Sequence, residues 1–186
     1  MIAYAITDST TLGFQTLEED LEFFSKKAQM IVYRDKETSN YQQNAEIFLI
    51  EAKKLDFSKI LLHSDYLLAS KLKAYGVHLQ STQFDDIIKA KALNLFVVIS
   101  THSVDEALEA ERLGVDMITF SPIFATPNKG EPKGLEALSH LVSLLSIPVI
   151  ALGGILTQKE IDMCKEAGAK GFASIRYFTK KNIHNL

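Results

Sequence analysis

Eight short apolar runs, rich in Ile and Val, alternate with longer amphipathic segments from one end of the chain to the other. The runs cover residues 2–6, 30–33, 60–62, 76–79, 95–99, 117–120, 148–152 and 171–175. Runs that are apolar throughout suit parallel strands buried on both faces, because a strand with one wet face alternates polar and apolar residues. Between them, Leu17, Leu21, Phe23 and Phe24 recur at helical spacing, as do Ile161, Met163 and Cys164 before Gly168. Strand and helix in strict alternation restrict the fold to a doubly wound sheet or a closed barrel, and eight units predict the barrel. The expected architecture is an α/β, single-domain (β/α)8 TIM barrel over residues 1–186 with a short C-terminal helix, since only residues 179–186 follow the eighth run. One edge of the wall is then thin, and a second copy of the chain, in a homodimer, is its expected cover.

Composition narrows the partners. With 47% hydrophobic and 23% charged residues the chain can bury one sizeable core. A net charge of -3 argues against nucleic acid and anionic membranes, which both require a clustered positive surface. No apolar run approaches the roughly 20 residues of a membrane-spanning helix. The opening Ile2-Ala3-Tyr4-Ala5-Ile6 has neither a basic stretch before it nor a small-residue cleavage site after it, so it reads as a strand. A single cysteine, Cys164, forms no internal disulfide, which suits a cytoplasmic location.

In a barrel of this kind the loops after the strands build the working face. Three of these loops stand out. Ala151-Leu152-Gly153-Gly154-Ile155 precedes a helix with Thr157 near its start. Its glycines let backbone approach an anion, and a helix N-terminus offers unpaired N–H groups; the same pattern also serves as a plain connecting turn. The long segment 121–130, carrying Thr126 and Lys129, is either a loop closing over a phosphorylated ligand or an ordinary surface loop. Tyr33-Arg34-Asp35-Lys36 sets two cations after the second strand, where they either face a diphosphate or pair with Asp35. His102 follows the fifth strand beside Ser100 and Thr101, placed for acid–base work or for a hydrogen bond at a helix start. His78, inside the fourth run, reads as a packed structural residue.

Taken in order, these loops resemble those of the thiamine phosphate synthase/TenI family. The likeness rests on Tyr4-Ala5-Ile6-Thr7-Asp8, Tyr33-Arg34-Asp35-Lys36, Gly76-Val77-His78-Leu79 and Ile99-Ser100-Thr101-His102-Ser103. It continues through Glu106-Ala107, Gly114-Val115-Asp116, Ser121-Pro122-Ile123-Phe124-Ala125-Thr126 with Lys129, Gly153-Gly154-Ile155 and Ala167-Gly168-Ala169-Lys170-Gly171. Synthases of the family join a hydroxymethylpyrimidine diphosphate to a thiazole phosphate, giving thiamine phosphate and pyrophosphate. The resemblance implies a thiazole phosphate at Gly153 and Gly154, with Arg34, Lys36, Ser100, Thr126 and Lys129 at positions that bind the diphosphate.

The departures are as informative as the matches. Alignment with the synthase pattern places His63 and Ser64 on an Asn-Asp pair, and Gln80, Ser81, Thr82 and Gln83 on a Gly-Gln-Glu/Asp-Asp run. Both aspartates of that pattern are magnesium ligands, and here they become Ser64 and Gln83. Asp65 lies one residue off. Val32 replaces a glutamine, and Asn128 a loop hydroxyl. The TenI branch lacks synthase activity, and some of its members tautomerise the thiazole phosphate with a histidine after strand six, where this chain has Pro122. At strand eight a small Ser-Ala pair becomes Arg176-Tyr177, which either adds a phosphate-binding cation or fills the pocket.

The resemblance therefore implies a TenI-like binder of thiazole phosphate with a degenerate synthase metal site. An active synthase, also taking pyrimidine diphosphate, and a non-catalytic phosphate-ligand regulator are the alternatives. If the chain is an enzyme, it is a transferase or a thiazole tautomerase with Lys36, His63 and His102 as candidates for catalysis. Arg34, Lys36, Ser100, Thr126, Lys129, Gly153, Gly154 and Arg176 are the candidates for binding. No residue is assigned to a resident metal; magnesium is expected only if synthase activity is retained.

Overall fold

A computed structural model describes residues 1–127 and 129–179. The short C-terminal helix expected after the eighth run falls on residues 180–186, outside those described, as does Asn128. Eight parallel strands pair in sequence order and close on themselves: β1 (Ile2–Ile6), β2 (Met30–Tyr33), β3 (Lys59–His63), β4 (Gly76–Leu79), β5 (Phe96–Thr101), β6 (Met117–Phe120), β7 (Val149–Leu152) and β8 (Gly171–Ser174). Closure comes from β8 pairing with β1, with Ile2 opposite Gly171 and Ala5 opposite Ser174. The connecting helices are α1 (Leu17–Ser25), α2 (Tyr41–Ala52), α3 (Tyr66–Lys71), α4 (Asp85–Ala92), α5 (Val104–Arg112), α6 (Gly134–Leu144) and α7 (Gln158–Glu166). No helix among the described residues is long and apolar enough to cross a membrane.

Period-two alternation explains why the runs are apolar throughout. Tyr4, Ile6, Met30, Val32, Leu61, Val98, Met117, Ile150 and Ala173 cluster inside the barrel. Their neighbours Ala3, Ala5, Ile31, Leu62, Val97, Ile99, Ile118 and Ala151 point outward into a second core beneath the helices. Each fully buried Ile, Leu or Val contributes about 1.5–3 kcal/mol relative to exposure. A single polar substitution on either face would therefore be costly.

Two strands extend past their apolar runs. β3 gains Lys59 and His63, and β5 runs on through Ser100 and Thr101. Ladder pairing sets these ends, since Ser100 lies opposite Thr119 and Thr101 opposite Phe120. The extension carries the interior alternation Phe96, Val98, Ser100 up to the C-terminal rim.

Candidate functional site

All ten residues singled out from the sequence line one cavity of about 270 Å³ at the C-terminal end of the barrel. Arg34 and Lys36 come from the loop after β2, Lys129 from the loop after β6, and Arg176 from the segment after β8. His63 ends β3, His102 follows β5, and Ser100 looks up from within β5. Thr126, Gly153 and Gly154 complete the set, while Gln80, Ser121 and Pro122 fill the gaps between them. Among the described lining residues there are four Lys or Arg side chains and no carboxylate, although the whole chain carries a net charge of -3. Positive charge is concentrated at this mouth.

Local structure explains how the cations reach it. Thr7 donates its hydroxyl to the Val32 carbonyl and accepts from the Arg34 N–H at 3.1 Å, which fixes the start of the β2 loop. Asp35 accepts from the N–H groups of Glu37 and Thr38, so its carboxylate shapes the turn. The alternative of an Arg34–Asp35–Lys36 ion pair is not the arrangement adopted, and both cations line the cavity. Burial lowers the Lys36 ammonium below its ordinary value, and the charges of Arg34 and Lys129 lower it further. Cations crowded without a counter-charge are held in a state that an anion relieves.

The glycine loop is shaped as much by packing as by any ligand. Gly153 and Gly154 have φ of +99° and +70°, and a Cβ on Gly154 would lie 2.6 Å from Cβ of Phe124. The loop after β6 runs against this turn, with the Ile123 N–H on the Leu152 carbonyl and the Phe124 N–H on the Gly153 carbonyl. Thr126 donates its hydroxyl back to the Phe124 carbonyl at 3.0 Å. The α7 N-terminus is partly closed by its own side chains. Thr157 and Glu160 form a capping box there, and the Glu160 carboxylate accepts from the N–H groups of Leu156 and Thr157. Gly153, Gly154 and Arg176 line this end of the cavity.

Three histidines line the opposite wall. Burial, followed by the charges of Arg34 and Lys36, pushes His63 down to about 3. Burial, then His63 and Arg34, pushes His78 to about 3 as well. Both rings are therefore neutral in the physiological range. The His102 Nδ1–H donates to the Ser121 carbonyl at 2.9 Å, and the residue lines the cavity. With Nδ1 so engaged, Nε2 is left as the acceptor. Ser103 caps α5 behind it, accepting from the Glu106 N–H.

The positions aligned with the magnesium ligands hold a closed polar network. Gln83 Oε1 accepts from the Ser64 hydroxyl at 2.9 Å and from the Gln80 N–H at 3.0 Å. Its Nε2 donates to the Ser64 carbonyl and to the Asp86 carboxylate. An amide has two acceptor sites and two donors, and all four are taken. Ser64 Oγ also accepts from Gln80 Nε2 at 2.9 Å. Asp65 caps α3, accepting from the Leu68 N–H at 2.8 Å, and Asp8 accepts from both the N–H and the hydroxyl of Thr10. Magnesium is a hard ion that needs carboxylate oxygen and gives up water reluctantly. These residues do not fit it. Among the described residues, no three His, Cys, Asp or Glu side chains are gathered to hold a metal ion.

Sequence reasoning gave His78 a packed structural role, which its burial bears out, and missed its partner, Tyr4. Tyr4 and His78 meet inside the barrel, where the Tyr4 hydroxyl and His78 Nδ1 are 2.9 Å apart, and His78 also lines the cavity floor. His78 is thus more than packing. The signal lay in the alternation: Tyr4 sits between Ile2 and Ile6, and His78 two residues after Gly76.

Comparison with known proteins agrees with this geometry. Residues 3–178 match the family described as thiamine monophosphate synthase. The chain is 34% identical over 181 residues to a putative thiamine-phosphate synthase 2 of Aquifex aeolicus, covering 94% of this chain and 96% of that protein. It is 32% identical over 171 residues to a thiamine-phosphate synthase of Pelotomaculum thermopropionicum, covering 89% and 78% of the two chains. Among solved structures, the thiamine phosphate pyrophosphorylase from Pyrococcus furiosus superposes with a TM-score of 0.80 at 27% identity, covering 94% of this chain and 85% of that one.

Proposed function

The chain belongs to the thiamine monophosphate synthase family, and we propose that within it this barrel binds a thiazole phosphate without a resident magnesium ion, in the manner of the TenI branch. The observation that carries the reading is the pairing of a carboxylate-free, four-cation rim with a self-satisfied Ser64–Gln80–Gln83 network at the metal positions. The phosphate sits at Gly153, Gly154 and Arg176. Arg34, Lys36 and Lys129 are left for a second anionic group, and Ser100 and Thr126 add hydroxyls. A cation about 5 Å from a phosphate contributes about 3 kcal/mol at an effective dielectric constant near 20, so several together bind an anion without metal.

One observation favours full synthase activity instead. Arg34 and Lys129 lie close enough to act on the charge of Lys36, as the binding of a diphosphate would require, and the relatives above are named as synthases. In that reading Arg34, Lys36 and Lys129 neutralise the leaving diphosphate. Of the three residues proposed for catalysis, Lys36 holds an anion, His102 offers Nε2 for a proton, and His63 is a neutral wall residue. We also propose a cytoplasmic homodimer in which a second copy covers the wall beside β8.

The deciding experiment follows heat stability with thiazole phosphate, pyrimidine diphosphate and both, each with and without magnesium. A rise with thiazole phosphate that is indifferent to magnesium supports the TenI-like reading. Stabilisation that appears only with magnesium and pyrimidine diphosphate supports the synthase. No response to either ligand removes both and leaves a regulator of other specificity.

A further inference from the structure

The polar residues inside the barrel form a chain that ends on the cavity. Tyr4 is fully buried and His78 nearly so. Their rings stack at 5.7 Å between centroids, with the phenol oxygen 2.9 Å from His78 Nδ1. His78 Nε2 lies 3.0 Å from Ser100 Oγ, and Thr119 Oγ1 lies 3.5 Å from the same oxygen. Nδ1 of His78 is the sole partner of the Tyr4 hydroxyl among the described residues.

That geometry fixes the direction of every proton. A buried phenol O–H with no acceptor costs about 1–3 kcal/mol, so Tyr4 donates and His78 Nδ1 accepts. A neutral imidazole then carries its proton on Nε2 and donates it to Ser100. Ser100 Oγ also accepts from Thr119. With its oxygen receiving two hydrogen bonds, its own O–H has the cavity as its remaining direction, and Ser100 lines that cavity. We propose that Tyr4 and His78 are positioning residues that hold Ser100 as an obligate hydrogen-bond donor to an anionic oxygen in the cavity.

Burial keeps both groups in the required state: the Tyr4 phenol is raised well above its ordinary value, and the His78 ring is neutral down to about pH 3. The chain thus delivers a donor that does not switch to acceptor with pH, which suits a phosphate or diphosphate oxygen and disfavours a neutral donor group. This role rests on the reading of the cavity as an anion pocket, and its test separates the two.

Nitrogen-15 NMR of the free wild-type protein reports the His78 tautomer without any ligand. The Nε2–H form is expected, and the Nδ1–H form would overturn the relay. Inorganic pyrophosphate in the presence of a chelator is then titrated calorimetrically into wild type, Ser100→Ala, Tyr4→Phe and the double variant. Tyr4→Phe keeps the ring but removes the donor, which frees His78 to take the Nδ1–H form and turn the Ser100 proton away from the cavity. Each single variant is expected to weaken binding about tenfold, the worth of roughly one hydrogen bond to a charged group. The double variant should be no weaker than Ser100→Ala alone. Additive losses, or a Tyr4→Phe variant that is folded and binds as wild type does, would overturn the positioning role while leaving the pocket intact. Failure of pyrophosphate to bind wild type removes the anion pocket and this role with it.

Discussion

Along the loops after β2, β6 and β8, four cations line the cavity with no carboxylate among the described lining residues. Along the loops after β3 and β4, Ser64, Gln80 and Gln83 are neutral and closed on one another. Gln80 lines the same cavity, whereas the hydrogen-bonding groups of Gln83 are taken up within the network. Lys36 is pressed below its ordinary value by its surroundings and gains from an anion. Gln83 has every donor and acceptor occupied and gains nothing from a cation. What separates binding residues from filling residues is therefore the state of their partners, which residue type alone does not reveal.

The largest expected effect comes from breaking the charged side. Replacing Arg34 and Lys36 together by alanine removes two charge-assisted contacts, each worth about 1.5–3 kcal/mol. Pyrophosphate affinity without magnesium should fall by at least about a hundredfold in calorimetry, with the melting temperature of the free protein unchanged or raised. A loss below about threefold would mean that these cations do not face the anion.

The turn that supports this side should fail next. Gly154→Val places a branched Cβ at φ of +70° against Phe124 and the Ala125 carbonyl. A cost of about 3 kcal/mol is expected from strain and overpacking, read as a lower denaturant midpoint. Because the same change displaces the β6 loop, lost anion affinity in this variant reports packing and phosphate contact together. Arg176→Ala separates them, weakening thiazole phosphate binding without that stability loss.

Converting the neutral side sharpens the contrast. Ser64 adopts φ of +71°, a region that aspartate visits more readily than most residues. The double change Ser64→Asp with Gln83→Asp should therefore fit the backbone while placing two like charges in contact. Without metal the variant should lose about 2 kcal/mol of stability, and millimolar magnesium should restore it. A variant indifferent to magnesium would mean that the loops do not converge as a metal site at all.

Acidification probes the histidine wall through a graded loss of stability. The unfolded chain binds protons on His63 and His78 near the ordinary value of 6.5, whereas the folded chain declines them down to about 3. Stability should be level above about pH 7 and fall as the pH drops below 6.5, by up to about 1.4 kcal/mol per pH unit for each ring. His63→Gln should flatten the slope in urea titrations at pH 5–6, and saturating pyrophosphate should leave the onset near 6.5 but make the loss level off at a higher pH, because opposing the charges of Arg34 and Lys36 raises the folded-state value of His63.

Much of this was legible in the residues. All eight apolar runs became strands because burial on both faces demands apolar side chains in either phase. The rim positions followed from the topology, and all ten named side chains met at one cavity. What stayed hidden depends on partners brought together from distant points. Asp65 looked like a spare metal ligand until its carboxylate was seen capping α3. Thr157 marked the start of α7 without revealing that the Glu160 carboxylate takes up its N–H group. Tyr4 and His78 are 74 positions apart in the chain, and only barrel closure makes them one device.

The central claim, that this family member has replaced a metal-assisted site by one that binds anions with protein charge alone, is tested most directly by turnover. Pyrimidine diphosphate and thiazole phosphate are incubated with the unmodified protein at saturating magnesium, and pyrophosphate release is followed continuously. The account predicts no release above the protein-free background, alongside magnesium-independent binding of thiazole phosphate. Sustained, magnesium-dependent formation of thiamine phosphate would contradict it and would make Asp65, released from its cap on α3, the first ligand to examine.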